Sequence, residues 1–339
     1  MRKETTNIVG EIKKQKSLLF LFSWILLCIV SLFYTPNDYE GYLEITDAVN
    51  GSGFLDFTGK TYVALFFIYL EMIIPVSILG YLLMMAFCYL MYKNIDNYIL
   101  WIAVLFVTLP MAGYLTYISK EFILFFIFIS SGMLREKNEQ ISNIYLLFSI
   151  LIFSILIRQY YIPILLFSFF IVSVRSSIKL LMLLVVFGII AIVLSCYDYM
   201  QDVFNYVYES KYNMWARLYY YSEVNTIFHL EFHKESSFIN IVYMWLQNLY
   251  YLISAPFRHF GLKGFIILNH LVVVVILYFC YFKNELWYYF TLFSIIFMTY
   301  LVPDSGTFIR HASCLTVLFL TYNFTYKDSI NRNANNDKN

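Results

Sequence analysis

Charge is what this chain of 339 residues has least of: Asp, Glu, Lys and Arg together make up 13% of it, against 61% hydrophobic residues. So small a polar fraction cannot coat a water-soluble globule, which excludes an ordinary soluble domain. Neither sign dominates, since 23 Lys and Arg against 22 Asp and Glu leave a formal net charge of +1. A nucleic-acid binder would show a basic surplus, so none is expected here. The 6 prolines and 12 glycines form no linker, and no repeat of fixed period is present. The five cysteines, Cys28, Cys88, Cys196, Cys280 and Cys314, have no paired spacing, and four lie well inside apolar runs. No disulfide framework is expected from them. A P-loop, a dinucleotide fingerprint and a Gly-x-Ser-x-Gly elbow are all missing, so no cofactor is expected and any energy source must come with the substrate or from a gradient.

What is present is a series of apolar runs near 18–34, 72–92, 98–117, 121–134, 143–157, 161–174, 178–196, 264–282, 286–302 and 308–326. They predict an all-α, polytopic membrane helix bundle of about ten spans forming one integral membrane domain over 1–339. The 34 Phe, 32 Tyr and 5 Trp suit lipid-facing and interfacial positions. The first run follows a basic segment (Arg2, Lys3, Lys13, Lys14, Lys16) with no small-x-small cleavage site after it, and reads as a retained signal anchor. The stretch 239–256 is apolar on one face and carries Asn240, Gln247 and Asn248, so it reads as an interfacial or re-entrant helix, with a full span as the alternative.

With 239–256 not crossing, both termini face the cytoplasm and 14 of the 23 Lys and Arg lie inside. The cytoplasmic parts are then 1–16 and 327–339, of which 331–339 is compositionally disordered. The outer face receives an acidic loop with an interfacial lead-in, 35–71, and a long loop, 197–263.

Two hairpins in this layout are too short for a bilayer. Only 13 residues separate Glu121 from Arg135, and the runs flanking Arg158 hold 15 and 14. A hydrocarbon core of about 30 Å needs about 20 helical residues. The charged tips therefore lie below the membrane surface, where an idle charge would cost roughly 2.5–3.5 kcal/mol.

Each charged group has a functional reading and a plainer one. Asp38 and Glu40, just outside the first run, suit a general base for a substrate hydroxyl, or are simply a solvated acidic loop. Ser119-Lys120-Glu121 forms a tight connection after Pro110, and Lys120 and Glu121 either bind substrate or neutralise one another. Arg158, followed by Gln159, Tyr160 and Tyr161, presents a permanent cationic fork matched to phosphate oxygens, or anchors among aromatics. Arg310 and His311, within the turn Pro303-Asp304-Ser305-Gly306-Thr307, need anionic partners, either a substrate phosphate or Asp304. His229 and His233 stand at i, i+4, but no third ligand is evident, so no metal site is expected.

The acidic Asp38-Tyr39-x-x-Tyr42 loop after a signal anchor, the Ser119-Lys120-Glu121 turn, Arg158 at a short-span turn, the long outer loop and Arg310-His311 near the last span together resemble the O-antigen and capsular repeat-unit polymerases. These are the Wzy and EpsG-like membrane proteins, similar in layout to GT-C glycosyltransferases, and the resemblance covers nearly the whole chain. Two features depart from the family: only one long outer loop is present, and His311 stands where an aromatic residue is common. The resemblance implies an enzyme of polysaccharide biosynthesis in a bacterial inner membrane, making lipopolysaccharide O-antigen or capsule. Its partners would be a donor and an acceptor glycan, both linked to undecaprenyl pyrophosphate, the lipid bilayer and a chain-length regulator. Asp38 or Glu40 would act as base and Arg158 and Arg310 on the departing pyrophosphate, with Lys120, Glu121, Tyr160 and His311 binding substrate. A GT-C enzyme transferring a single sugar and a lipid-linked oligosaccharide flippase are the alternatives.

Overall fold

A computed structural model of the chain describes residues 2–33, 59–173, 185, 188–189, 198–221, 237–259, 261–280, 285–302 and 304–336. Among these residues the fold is all helical, with twelve helices. Asp38, Glu40, His229, His233 and almost all of the expected span 178–196 lie outside the described residues.

Three helices are long and apolar enough to cross a membrane, namely Lys14–Leu32, Val76–Asn94 and Glu139–Leu156. Their exposed faces explain why the chain is a membrane protein. Along Glu139–Leu156, beyond the polar first turn, the exposed side chains are Ile141, Ile144, Phe148, Ile152, Ile155 and Leu156, a stripe at helical spacing that water would penalise and lipid would not. Five further apolar helices, such as Tyr98–Ala112 and Leu286–Leu301, are shorter.

The chain divides into two compact units, one of Met1–Pro163 with Ser313–Asn339 and one of Ile164–Ala312. In the first unit, α1 (Arg2–Leu32) packs against α3 (Val76–Asn94) and α4 (Tyr98–Ala112), and α2 (Gly59–Glu71) lies against α3. Helix α3 also meets α5 (Lys120–Arg135), which pairs closely with α6 (Glu139–Leu156). The core between them is aromatic: Phe67 meets Phe122 edge-on at 5.1 Å between centroids, and Phe87 meets Phe125 at 5.7 Å.

Capping sets the helix starts. Asn97 accepts from the backbone N–H of Ile99 and Leu100, and Asn138 from that of Ile141, each satisfying donors that a helix N-terminus leaves open. At the ends of α3, α5 and α6 that carry Lys93, Glu136 and Glu139, Lys93 pairs with Glu136 at 2.7 Å and Arg135 with Glu139 at 2.7 Å. The Arg135 guanidinium stacks on the Tyr322 ring and donates to the Tyr322 carbonyl, which fastens the helix Ser305–Asn336 to α5 within this unit.

One helix boundary agrees with the sequence reading and one departs from it. Pro110 was expected to break the helix of the run 98–117, and α4 ends at Ala112. Pro110 has no N–H to donate and its ring crowds the preceding turn, so the helix stops within a turn of it. The charged tip is therefore not a tight connection but the end of a folded segment, 113–119. At the other end of the chain the last helix continues through the Asn-rich tail to Asn336. A helix already nucleated adds one hydrogen bond for each residue it fixes, and this offsets the weak propensity of Asn.

In the second unit, helix α7 (Tyr161–Ser173), shared with the first at its start, is followed by α8 (Asp198–Tyr221), α9 (Phe238–Arg258), α10 (Leu262–Cys280), α11 (Leu286–Leu301) and the first turns of α12 (Ser305–Asn336). Helix α9 packs against α10, α11 and α8. Gly261, at φ 107°, and Gly264, where a Cβ would lie 2.0 Å from the His259 carbonyl oxygen, permit the close turn between α9 and α10.

Candidate functional site

The first charged tip begins with Ser119. Its hydroxyl accepts from the Phe122 N–H at 3.0 Å and donates to the Tyr114 carbonyl at 2.9 Å, so one side chain both starts α5 and ties back the segment before it. Gly80 of α3 makes room for that segment: a Cβ there would stand 1.9 Å from the Leu115 carbonyl oxygen. Glu121 then falls in the first turn of α5, where the helix dipole favours a carboxylate.

The second tip meets the first. Arg158 donates from Nη2 to Glu121 Oε1 at 2.7 Å, and the two side chains are 8% and 5% exposed. Lys120, the immediate neighbour, is half-buried, and Arg158 neutralises the carboxylate. The backbone delivers Arg158 by an irregular end to α6, where the N–H groups of Ile157 and Arg158 both point to the Phe153 carbonyl. Tyr160 and Tyr161 follow Arg158 closely in the chain, and their rings meet edge-on at 4.7 Å. Tyr161 also packs on Phe153 at 6.1 Å. The result is a buried guanidinium paired with a carboxylate beside two tyrosines.

A second cluster lies in the other unit. Helix α8 buries Phe204, Tyr208, Lys211 and Trp215, spaced four, three and four residues apart. Lys211 thus occupies an apolar stripe position, 1% exposed, and its Nζ donates to the Leu301 carbonyl at 3.1 Å and the Val302 carbonyl at 2.9 Å. These are carbonyls that the end of α11 leaves open, and a cation is favoured there. The ammonium also stands 5.9 Å from the centroid of the Tyr300 ring. Burial pushes the Lys211 ammonium down to about 7, with the nearby Asp304 carboxylate opposing the shift.

Asp304 is buried and starts α12: it accepts from the Thr307 N–H at 2.9 Å and from the Thr307 hydroxyl at 2.6 Å. The carboxylate that sequence offered as a partner for Arg310 is thus a helix cap that also faces a lysine. Arg310 is half-buried and His311 buried, both in the second turn of α12. Arg158, Glu121, Lys120 and Tyr160 belong to the first unit and Arg310 and His311 to the second.

Two residues went unremarked in the sequence. Lys211 was legible in principle, because a lysine in register with Phe204, Tyr208 and Trp215 breaks an amphipathic pattern. His270 stands in the middle of the apolar run 264–282 beside Asn269, and a polar pair there is the same kind of signal. No protein-family model, curated protein or solved structure matches the chain.

Proposed function

We propose that this chain is a polysaccharide polymerase, joining oligosaccharide repeat units carried on undecaprenyl pyrophosphate into O-antigen or capsule at the outer face of a bacterial inner membrane. The observation that carries the proposal is the meeting of Glu121 with Arg158. It supports the reading because two charged turns that sequence alone could not connect meet in one buried ion pair beside Tyr160 and Tyr161.

The layout proposed with it has about ten spans, both termini in the cytoplasm and the segments 35–71 and 197–263 outside. In the reaction, Asp38 or Glu40 takes the proton of an acceptor sugar hydroxyl as its oxygen attacks the anomeric carbon of the donor. The bond from that carbon to the pyrophosphate oxygen breaks, and undecaprenyl pyrophosphate leaves with the electron pair. Arg158 and Arg310 stabilise the charge that grows on the leaving group. Lys120, Glu121, Tyr160 and His311 hold sugar and phosphate groups, and a chain-length regulator is the proposed protein partner.

A deletion strain tests the proposal. Its lipid carrier is expected to bear single repeat units exposed on the outer face, with the polymer ladder lost; an unchanged ladder would contradict the assignment. A flippase is the second reading, favoured by one observation, the buried His270 halfway along an apolar helix. Loss of a flippase would trap the single units on the inner face, so the side on which they collect separates the two.

A further inference from the structure

We infer that α9, α10 and α11 enclose bound water, a hydrated polar row that runs from the end of α11 held by Lys211 to His270 halfway along α10. His270 is 0% exposed, and neither ring nitrogen has a hydrogen-bond partner among the described residues. The same holds for Asn248 Oδ1, Ser294 Oγ, the Tyr300 hydroxyl and Ser305 Oγ. A neutral imidazole offers one donor and one acceptor, and leaving both unmade incurs the full desolvation penalty. Folded proteins avoid this by pairing buried polar atoms with protein or with ordered water.

These atoms follow an order in depth. The Tyr288 hydroxyl donates to the Tyr278 carbonyl, which brings α10 and α11 together near their connecting turn. From that point His270 lies eight residues back along α10 and Ser294 six residues on along α11, about 12 and 9 Å at 1.5 Å per residue. They therefore sit at similar depth on two helices that both pack against α9. Tyr300 is about 18 Å along α11 by the same measure. Asn248 joins it there, donating from Nδ2 to the Tyr300 carbonyl at 2.6 Å, and Lys211 holds the carbonyls of the next two residues. Ser305, beside the capping Asp304, continues the row into α12.

The other side of α10 is apolar. Of its exposed hydrophobic side chains, Phe265, Leu268, Val272, Val275, Ile276 and Phe279 lie on the side away from His270, a face suited to lipid, and Ile266 lies one turn before His270. His270 is thus turned away from the lipid face, into the interior where the other orphaned atoms lie. One such atom could be satisfied by a small adjustment of its neighbours; five such residues in one unit point to water, which bonds to several groups at once.

Thiol chemistry reads hydration directly, because maleimide reacts with the thiolate and a thiolate forms where water can solvate it. The experiment compares full-length Ser294→Cys and Val272→Cys proteins in native membranes, treats each with N-ethylmaleimide and follows modification peptide by peptide, so that the native cysteines do not interfere. Ser294→Cys is expected to react at least about 10-fold faster than the lipid-facing control. A second measurement guards against a variant that fails to accumulate: Ser294→Ala is expected to lower the melting temperature, because it removes a hydroxyl bonded to water. Modification at Ser294→Cys no faster than at Val272→Cys, or a higher melting temperature for Ser294→Ala, would overturn the inference. Neither readout involves glycan transfer, so it stands or falls apart from the proposed function.

Discussion

Glu121 and Arg158 put stability at risk together, because each is buried and each is charged. Removing one partner strands the other, at a cost of about 3–5 kcal/mol. Glu121→Ala is therefore expected to lose stability by that amount in a thermal melt, while Glu121→Gln, which keeps an acceptor oxygen, loses less. Equal melting temperatures for Glu121→Ala and the parent would show that the pair is not buried in the membrane-embedded protein. Lys211 gives a dependence on pH. Its proton is held less tightly in the folded chain, at about 7, than in the unfolded chain, at the ordinary 10.5. Between those values the unfolded state binds more protons, so stability rises as pH rises through that window and the contribution is flat below it. The slope is up to about 1.4 kcal/mol per pH unit, and Lys211→Met is expected to abolish it in melts taken from pH 7 to 10. An unchanged slope would place the titration elsewhere. The identity of these residues was legible in the sequence, but their pairing was not. Glu121 and Arg158 are 37 positions apart, and spacing along two separate helices says nothing of which ends meet.

The helices themselves were largely readable, because apolar length and capping residues act locally. Most starts and stops of α3, α5, α6 and α11 fall within a few residues of the apolar runs, with Ser119, Asn97 and Asn138 capping as their types suggest. The stretch 239–256 proved a continuous helix with two faces: Ile239, Tyr243, Leu246, Tyr250, Ile253 and Phe257 are exposed, while Met244, Asn248, Leu252 and Ala255 are buried. The end of α4 was readable from Pro110 rather than from hydropathy, since the residues after it remain apolar and the proline's missing N–H and its ring stop the helix. Not readable was the close approach of α3 to the segment 113–119, which depends on the absence of a side chain at position 80. Gly80→Ala would drive a methyl against the Leu115 carbonyl and push that segment, and Ser119 with it, away from α3. The expected cost is about 1–3 kcal/mol, read as a lower melting temperature and faster proteolysis between 113 and 119. Unaltered stability would mean that the two elements are farther apart than 1.9 Å allows.

For the molecule as a whole, low charge and long apolar runs were enough to mark a membrane protein of helices, and three helices meet the length and hydropathy that crossing requires. The proposed function rests on a resemblance, because the residues it uses stand on separate turns rather than in a contiguous motif. Each unit has its own group: a guanidinium paired with a carboxylate in one, and a buried lysine, a capping carboxylate, an arginine and a histidine in the other. The proposed activity assigns Arg158 and Arg310 to a departing pyrophosphate and leaves the acceptor proton to Asp38 or Glu40. The most direct measurement is therefore transfer itself, with purified full-length protein in lipid bilayers and undecaprenyl-pyrophosphate-linked repeat units as the sole substrate. The expected result is glycan of two or more units with release of undecaprenyl pyrophosphate, lost in Arg158→Ala; repeat units recovered intact with the parent protein would contradict the proposal.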